Sequence, residues 1–319
     1  MSWYTRLAQP SRREIQAVSA PALVYHKWHA YDLPALDIRE SRREFLELVA
    51  NGVNHLVSGE VYTNWYARYM KALDAIHATQ ELKGSTLWRL VSGFATNPAL
   101  ESGLHLHPLY GFPYLPGSAV RGLVHHVAEM ELIEEGIPEN AEGRRHFLDA
   151  VERIKTIFGS VFVRPLPANP IETPWSVIDA WRRENGTTAE DRKRMSALLD
   201  QHTGGLLAFY DAVPEPGQDG LLQTDILNPH YPDYYDNQGK KPPSDDQDPR
   251  PVYFLAVKPG TSFRFRFRTT GRPAEPELED LPGKVRGWLQ TGLEEWGAGA
   301  KTAAGYGYFQ MAPGSSSKG

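Results

Sequence analysis

The stretch Ser262-Phe-Arg-Phe-Arg-Phe-Arg268 decides the fold of this chain. Apolar and charged side chains alternate, and successive side chains of a strand point to opposite faces. The spacing predicts a strand with Phe263, Phe265 and Phe267 on a buried face and Arg264, Arg266 and Arg268 on the other. Working outward, Val252 to Val257 reads as a second strand, set off by the turn signal Lys258-Pro-Gly260. On the other side, Leu281, Val285, Trp288, Leu289 and Leu293 recur at helical spacing and predict an amphipathic helix over 279–296. A glycine-rich turn then leads into a last strand, Gly305-Tyr-Gly-Tyr-Phe-Gln-Met311.

Upstream, Ser85 to Phe94 reads as a strand. Val120, Leu123, Val124 and Val127 form the buried stripe of a helix that opens at Pro116-Gly117-Ser118, with Ser118 as its N-cap. A helix is predicted over 144–157 and short strands over 205–211 and 221–227. Two more helices, one beginning at Asp37 and one over 61–76, form an N-terminal elaboration after an irregular lead-in. The second carries the stripe Trp65, Tyr66, Tyr69, Met70 and Leu73, which reads as core.

Without insertions the order is strand, helix, strand, strand, helix, strand. That is an α+β chain of the ferredoxin-like (RRM-like) βαββαβ kind, with helices on one face of an antiparallel sheet. It divides the chain into an N-terminal part (1–84), a main domain (85–311) with an insertion at 163–203 and a polar loop at 228–250, and a flexible tail (312–319).

Composition narrows the function classes. The chain of 319 residues has no cysteine, which removes disulfide scaffolds, thiol nucleophiles and thiolate-held metals. Its 34 Lys plus Arg against 39 Asp plus Glu give a net charge of −5. That argues against a protein gripping nucleic acid by overall positive charge, and leaves a local basic groove open. No run of about 18 apolar residues occurs and no basic-then-apolar leader opens the sequence, so a soluble cytoplasmic protein without membrane contact is expected.

The sharpest local feature is Trp296-Gly-Ala-Gly-Ala-Lys-Thr-Ala-Ala-Gly-Tyr-Gly-Tyr-Phe309. It is not a nucleotide-binding P-loop, because Ala300 and Glu295 stand where that motif needs glycines. What remains is a backbone at Gly297, Gly299 and Gly305 that can approach a polyanion closely, with Lys301 and Thr302 beside it, or else a tight helix-to-strand turn. Gly117, Ser118 and Arg121 at a helix N-terminus either hold a phosphate or cap the helix. In Asp225-Ile-Leu-Asn-Pro-His-Tyr231, His230 and Tyr231 either stack on unpaired bases or pack against the domain or a partner. His105, His107, His125 and His126 show no metal-ligand spacing. Asp211 and Asp225 form either a carboxylate pair for metal-assisted cleavage or ordinary caps. No catalytic residue, metal or cofactor is assigned.

The Pro116 to Gly122 segment, the Phe158-Gly-Ser160 step and the Gly297 to Gly307 loop, in this order, resemble the RAMP superfamily of CRISPR proteins. More closely, Tyr110-Gly-Phe-Pro113, Phe209-Tyr-Asp-Ala212, Asp225 to Tyr231 and Phe254-Leu-Ala-Val257 are similar to the sixth-RAMP-subunit family of type III-B Cmr effector complexes. The resemblance runs from residue 85 to 311. It implies a Cas7-like subunit that caps the repeated backbone subunit near the 3′ part of the guide RNA. The implied partners are guide RNA and its target RNA, the repeated backbone subunit, the small helical subunit and the terminal RAMP subunit.

In that family the backbone subunit cuts target with an Asp in the loop after its first strand. Here residues 95–103 contain Glu101 and no Asp, so a non-catalytic RNA-binding subunit is expected. By the same resemblance, Gly297, Gly299, Lys301, Thr302 and Gly305, with Gly117, Ser118 and Arg121, would face RNA phosphates. Two alternatives stay open: a RAMP endoribonuclease acting on precursor guide or target RNA through His105, His107 or a nearby carboxylate, and a purely protein-contacting cap.

Overall fold

The computed structural model describes Tyr25 and residues 38–95, 102–134, 141–160, 188–200, 204–228, 251–270 and 280–312. Helices α1 (Ile38–Val57) and α2 (Glu60–Asp74) precede strand β1 (Thr79–Thr86), and α3 (Gly117–Glu134), α4 (Ala141–Phe158) and α5 (Ala189–Asp200) follow it. Then come β2 (Leu207–Phe209), β3 (Val213–Pro214), β4 (Leu222–Leu227), β5 (Val252–Val257) and β6 (Ser262–Thr269). Helix α6 (Leu281–Thr291), a π-helical turn (Gly292–Trp296), a 3-10 turn (Thr302–Ala304) and β7 (Phe309–Met311) close the described chain.

The alternating strand organises the main sheet. β6 pairs antiparallel with β1 from Arg268 opposite Thr79 to Ser262 opposite Ser85. The order is β2-β6-β1-β7, with β3 also on β6, and every pairing is antiparallel. Phe263, Phe265 and Phe267 are each 0% exposed, and the first two meet Phe309 of β7 edge-on. Burying a phenylalanine side chain contributes about 1.5–3 kcal/mol, so this row anchors the sheet. Helices α3 and α6 pack together over it, with Leu281, Val285 and Leu289 of α6 fully buried.

The arginine face is ion-paired and partly covered. Arg264 pairs with Glu215 (2.9 Å) and Glu81 (2.7 Å), and Arg266 with Asp74 (2.7 Å) and Glu81 (2.6 Å). Asp74 ends α2, which closes over this side of the sheet: Tyr62 donates to the Pro214 carbonyl (2.5 Å) and Tyr69 to the Asp211 carbonyl (3.1 Å). The aromatic stripe of α2 is core, as its spacing indicates, with Trp65 stacked on Tyr69 and packed against Phe112.

Two placements differ from the sequence reading, those of the first strand and of the C-terminal helix. The strand expected over 85–94 lies at Thr79–Thr86, and Leu90 beyond it makes one isolated bridge to Val257. β1 is polar (Thr-Gln-Glu-Leu-Lys-Gly-Ser-Thr) because one of its faces joins the ion pairs, so the apolar run that follows outshone it. β5 and β6 are not sheet neighbours, since β5 pairs with β4 in a separate two-stranded sheet. The long C-terminal helix changes at Gly292 from α to a π turn, closed by the Gly297 N–H on the Gly292 carbonyl (2.9 Å). A Cβ at Gly292 would press on Leu123 of α3, so this close helix contact needs glycine.

Apart from Tyr25, the lead-in lies outside the described residues, as do most of the 163–203 insertion, the 229–250 loop and the tail after 312. Among the described residues no helix is long and apolar enough to cross a membrane.

Candidate nucleic-acid interface

Two glycine-bearing turns carry the candidate residues, and their backbones are used differently. At the first, α3 opens at Gly117 itself. Its N–H donates to Asp211 Oδ1 at 2.7 Å, so the cap comes from the segment after β2 and not from Ser118, which is exposed. Ser118 as N-cap is therefore corrected: the Asp211 carboxylate takes the Gly117 N–H and sits at the positive end of the helix dipole. A Cβ at Gly117 would run into the Phe209 carbonyl, which explains the glycine by close approach. Arg121 donates from Nη2 to the Phe158 carbonyl at the end of α4, a cation on a helix C-terminus.

The second turn, 297–307, lies against the segment that follows β1. The Ala300 N–H donates to the Val91 carbonyl, the Gly307 N–H to Arg89 and the Ala298 N–H to Gly307, each at 2.8 Å. Gly297, Gly299, Gly305 and Gly307 have φ of 76°, 89°, 84° and 79°, the left-handed region that side chains avoid. A Cβ at Gly299 would collide with the Val91 carbonyl and one at Gly307 with the Ala298 carbonyl. Lys301 is itself left-handed (φ 62°, ψ 29°), and the 3-10 turn follows it without a side-chain cap.

Among the described residues the N–H groups of Lys301, Thr302 and Ala303 find no acceptor. Successive N–H groups across such a left-to-right-handed step form a concavity that suits an anion. Ala303, Ala304 and Gly305 are exposed at its tip. The Lys301 ammonium points elsewhere: Nζ lies 5.5 Å from the Phe94 ring, 5.4 Å from Phe254 and 5.5 Å from Tyr306. These cation–π contacts fix the turn from beneath.

A buried carboxylate completes the support. Asp225 accepts from the Tyr306 hydroxyl at 2.5 Å and the Ile226 N–H at 2.8 Å, and Arg89 Nη1 lies 3.3 Å away. Burial first, and Asp225 second, raise the Tyr306 phenol above its ordinary pKa, so it stays a neutral donor. The sequence reading had Asp225 but missed Arg89 and Tyr306. The available signal was Leu87-Trp88, two apolar residues in succession that break the alternation of a half-buried strand.

The histidines are held by packing and turns. His107 Nδ1 accepts from the Leu109 and Tyr110 N–H groups at 3.3 Å, and its ring stacks on Phe112 at 4.8 Å. Burial lowers its pKa, partly opposed by Asp211. His105 Nδ1 meets Ser92 Oγ at 3.0 Å, and burial lowers it too. His125 Nε2 is 3.0 Å from Glu129 Oε1 with both buried, and His126 meets Trp296 edge-on. Asp211 and Asp225 are committed to different partners, Gly117 and Tyr306. Among the described residues no group of three or more His, Asp or Glu is arranged to hold a metal ion. His230 and Tyr231 lie outside the described residues.

Cavities lie elsewhere among the described residues. One of about 560 Å³ lies between α1 and the β4–β5 pair, lined by Arg43, Asn51, Arg89, Thr224, Tyr253 and Lys258 among others. The other, about 820 Å³, lies between α3, α4 and α6 and includes Trp288 and Trp296.

A family model described as the RAMP superfamily matches residues 76–310. The CRISPR system Cmr subunit Cmr6 of Pyrococcus furiosus is 30% identical over 266 residues, 78% of this chain and 72% of that protein. The CRISPR system CMR subunit Cmr6 of Saccharolobus solfataricus is 22% identical over 275 residues, 85% of this chain and 70% of that protein. A chain in the cryo-EM structure of the Type III-B Cmr-beta bound to cognate target RNA superposes with a TM-score of 0.53 at 18% identity. That match covers 94% of this chain and 89% of the other, and is a likeness of fold.

Proposed function

The chain belongs to the RAMP superfamily, and on that premise we propose that it is a non-catalytic, RNA-binding subunit of a type III-B CRISPR (Cmr) interference complex. It caps the repeated RAMP subunit near the 3′ part of the guide RNA, with guide, target RNA and neighbouring RAMP subunits as partners. The reading draws on the similarity to Cmr6 of Pyrococcus furiosus. It also takes the sheet as ferredoxin-like, on the order β7-β1-β6-β2 with α3 and α6 as the two covering helices.

The observation that carries RNA contact is the turn at 301–303, with three N–H groups lacking an acceptor among the described residues beside an exposed tip. Such a turn meets a phosphate without reading sequence, which is what a protein needs when base pairing by a guide does the reading. The same geometry accommodates a net charge of −5, because backbone dipoles supply the positive potential. His105 and His107 are used as packing and turn groups, which favours a structural role over the endoribonuclease alternative.

The test is Ala304→Asp, which adds a carboxylate at the exposed tip without entering the core. Guide RNA affinity should fall about tenfold, the size of one lost charge-assisted contact plus repulsion. Unchanged affinity, with no photo-crosslink from residues 303–304 to guide RNA in the assembled complex, removes the reading. Specific cleavage of precursor or target RNA that disappears in His107→Ala establishes the enzyme instead.

A further inference from the structure

Leu87 is 55% exposed and Trp88 46% exposed, although both follow directly on β1. The indole is not loose. The Arg89 guanidinium carbon lies 4.6 Å from its ring centroid, and that guanidinium is held 3.3 Å from Asp225. Asp225 is buried and bonded to the Tyr306 hydroxyl. One face of Trp88 thus rests on a clamped cation, and nearly half of the side chain meets solvent.

We propose that Trp88, backed by Arg89, is a stacking platform for an unpaired nucleobase of RNA. The inference rests on reading the 297–307 turn as RNA-facing, because the two segments are joined. Leu87 N–H donates to the Tyr308 carbonyl, Gly307 N–H to Arg89 and Ala300 N–H to Val91, each at 2.8 Å. The indole thus stands on the segment that is hydrogen-bonded to the turn where a phosphate would sit.

The chemistry matches a nucleotide on two counts. Every base has a π-face, and stacking on an aromatic side chain tolerates any sequence. Arg89 also lines the 560 Å³ cavity, where Arg43 and Lys258 join it against Glu47 and Asp225, so cations outnumber anions beside the platform. A tryptophan fixed by a stacked guanidinium loses little freedom when a base settles on it.

The experiment compares full-length wild type, Trp88→Ala and Trp88→Phe by fluorescence anisotropy. The probes are labelled oligouridine and a ribose-phosphate strand of equal length without bases. Trp88→Ala should weaken oligouridine binding about tenfold, equivalent to about 1.4 kcal/mol, and Trp88→Phe should recover most of it. The salt dependence should stay unchanged, since no phosphate contact is lost, and the abasic strand should not distinguish the proteins.

Equal affinity of wild type and Trp88→Ala for oligouridine overturns the proposal. An equal loss on the abasic strand does the same. Intact RNA affinity with lost binding to purified partner subunits assigns the face to protein and also overturns it. Ala304→Asp separates this inference from its premise: if that variant binds normally while Trp88→Ala fails, the platform stands and the turn reading falls. The reverse pattern removes the platform alone.

Discussion

The turns at 117–122 and 297–307 look alike as strings of small residues with one cation, yet one is closed and the other open. At Gly117 the helix N–H already has a carboxylate 2.7 Å away, and Arg121 is bonded to the end of α4. At 301–303 the N–H groups find no acceptor among the described residues, and the cation is drawn back over three rings. A helix N-terminus attracts an anion only while its donors are unclaimed. Glycine is needed in both places for the same steric reason, close approach to a carbonyl, so its presence alone does not mark a ligand.

The largest effect should come from breaking the open turn. Gly307→Ala puts a Cβ on the Ala298 carbonyl at a φ of 79° and should cost about 3 kcal/mol or more in denaturant unfolding. Gly305→Ala, at a φ of 84° but in open space, should cost about 1–2 kcal/mol. Equal costs would mean that the backbone contacts between 298 and 307 are not what holds this turn.

Opening the closed turn sharpens the contrast. Asp211→Ala removes the cap of α3 and should cost about 1–2 kcal/mol. It also frees the Gly117 N–H, so guide RNA affinity should hold or rise while stability drops. A drop in both would place Asp211 in the binding surface.

The smallest effect is a pH dependence beside the same carboxylate. Burial lowers the His107 pKa in the folded protein, with Asp211 partly opposing, so the unfolded chain binds that proton more readily. Stability is then fully present above the unfolded value of about 6.5 and declines as the pH falls below it toward the lower folded value. His105 and His126 are lowered by burial as well and add in the same direction. Thermal unfolding should therefore show a shallower decline between about pH 7 and pH 5.5 in His107→Asn than in wild type. Identical slopes would show that His107 does not contribute.

What was legible in the sequence follows from local rules. The Phe and Arg alternation at 263–268 marked both strand and buried face, because strand side chains alternate by geometry. The stripes of α2, α3 and α6 were legible for the same reason. β1 was not, since its polar residues are stabilised by ion pairs to Arg264 and Arg266, about 180 positions away in sequence. The site was half legible: the glycines and Asp225 stood out, whereas the partners of Lys301 come from Phe94, Phe254 and Tyr306, and no spacing rule joins those.

By itself the sequence determined the α+β class, the buried phenylalanine row, the absence of thiol chemistry and the two turns worth testing. Those properties depend on residue type and on periodicity within one element. Only the tertiary structure decided which turn has donors to offer, because that depends on where Asp211 and the Phe158 carbonyl arrive from other parts of the chain. It also set Trp88 on a clamped Arg89, since Asp225 and Tyr306 reach that point only when the β4–β5 pair and the final turn have closed around it.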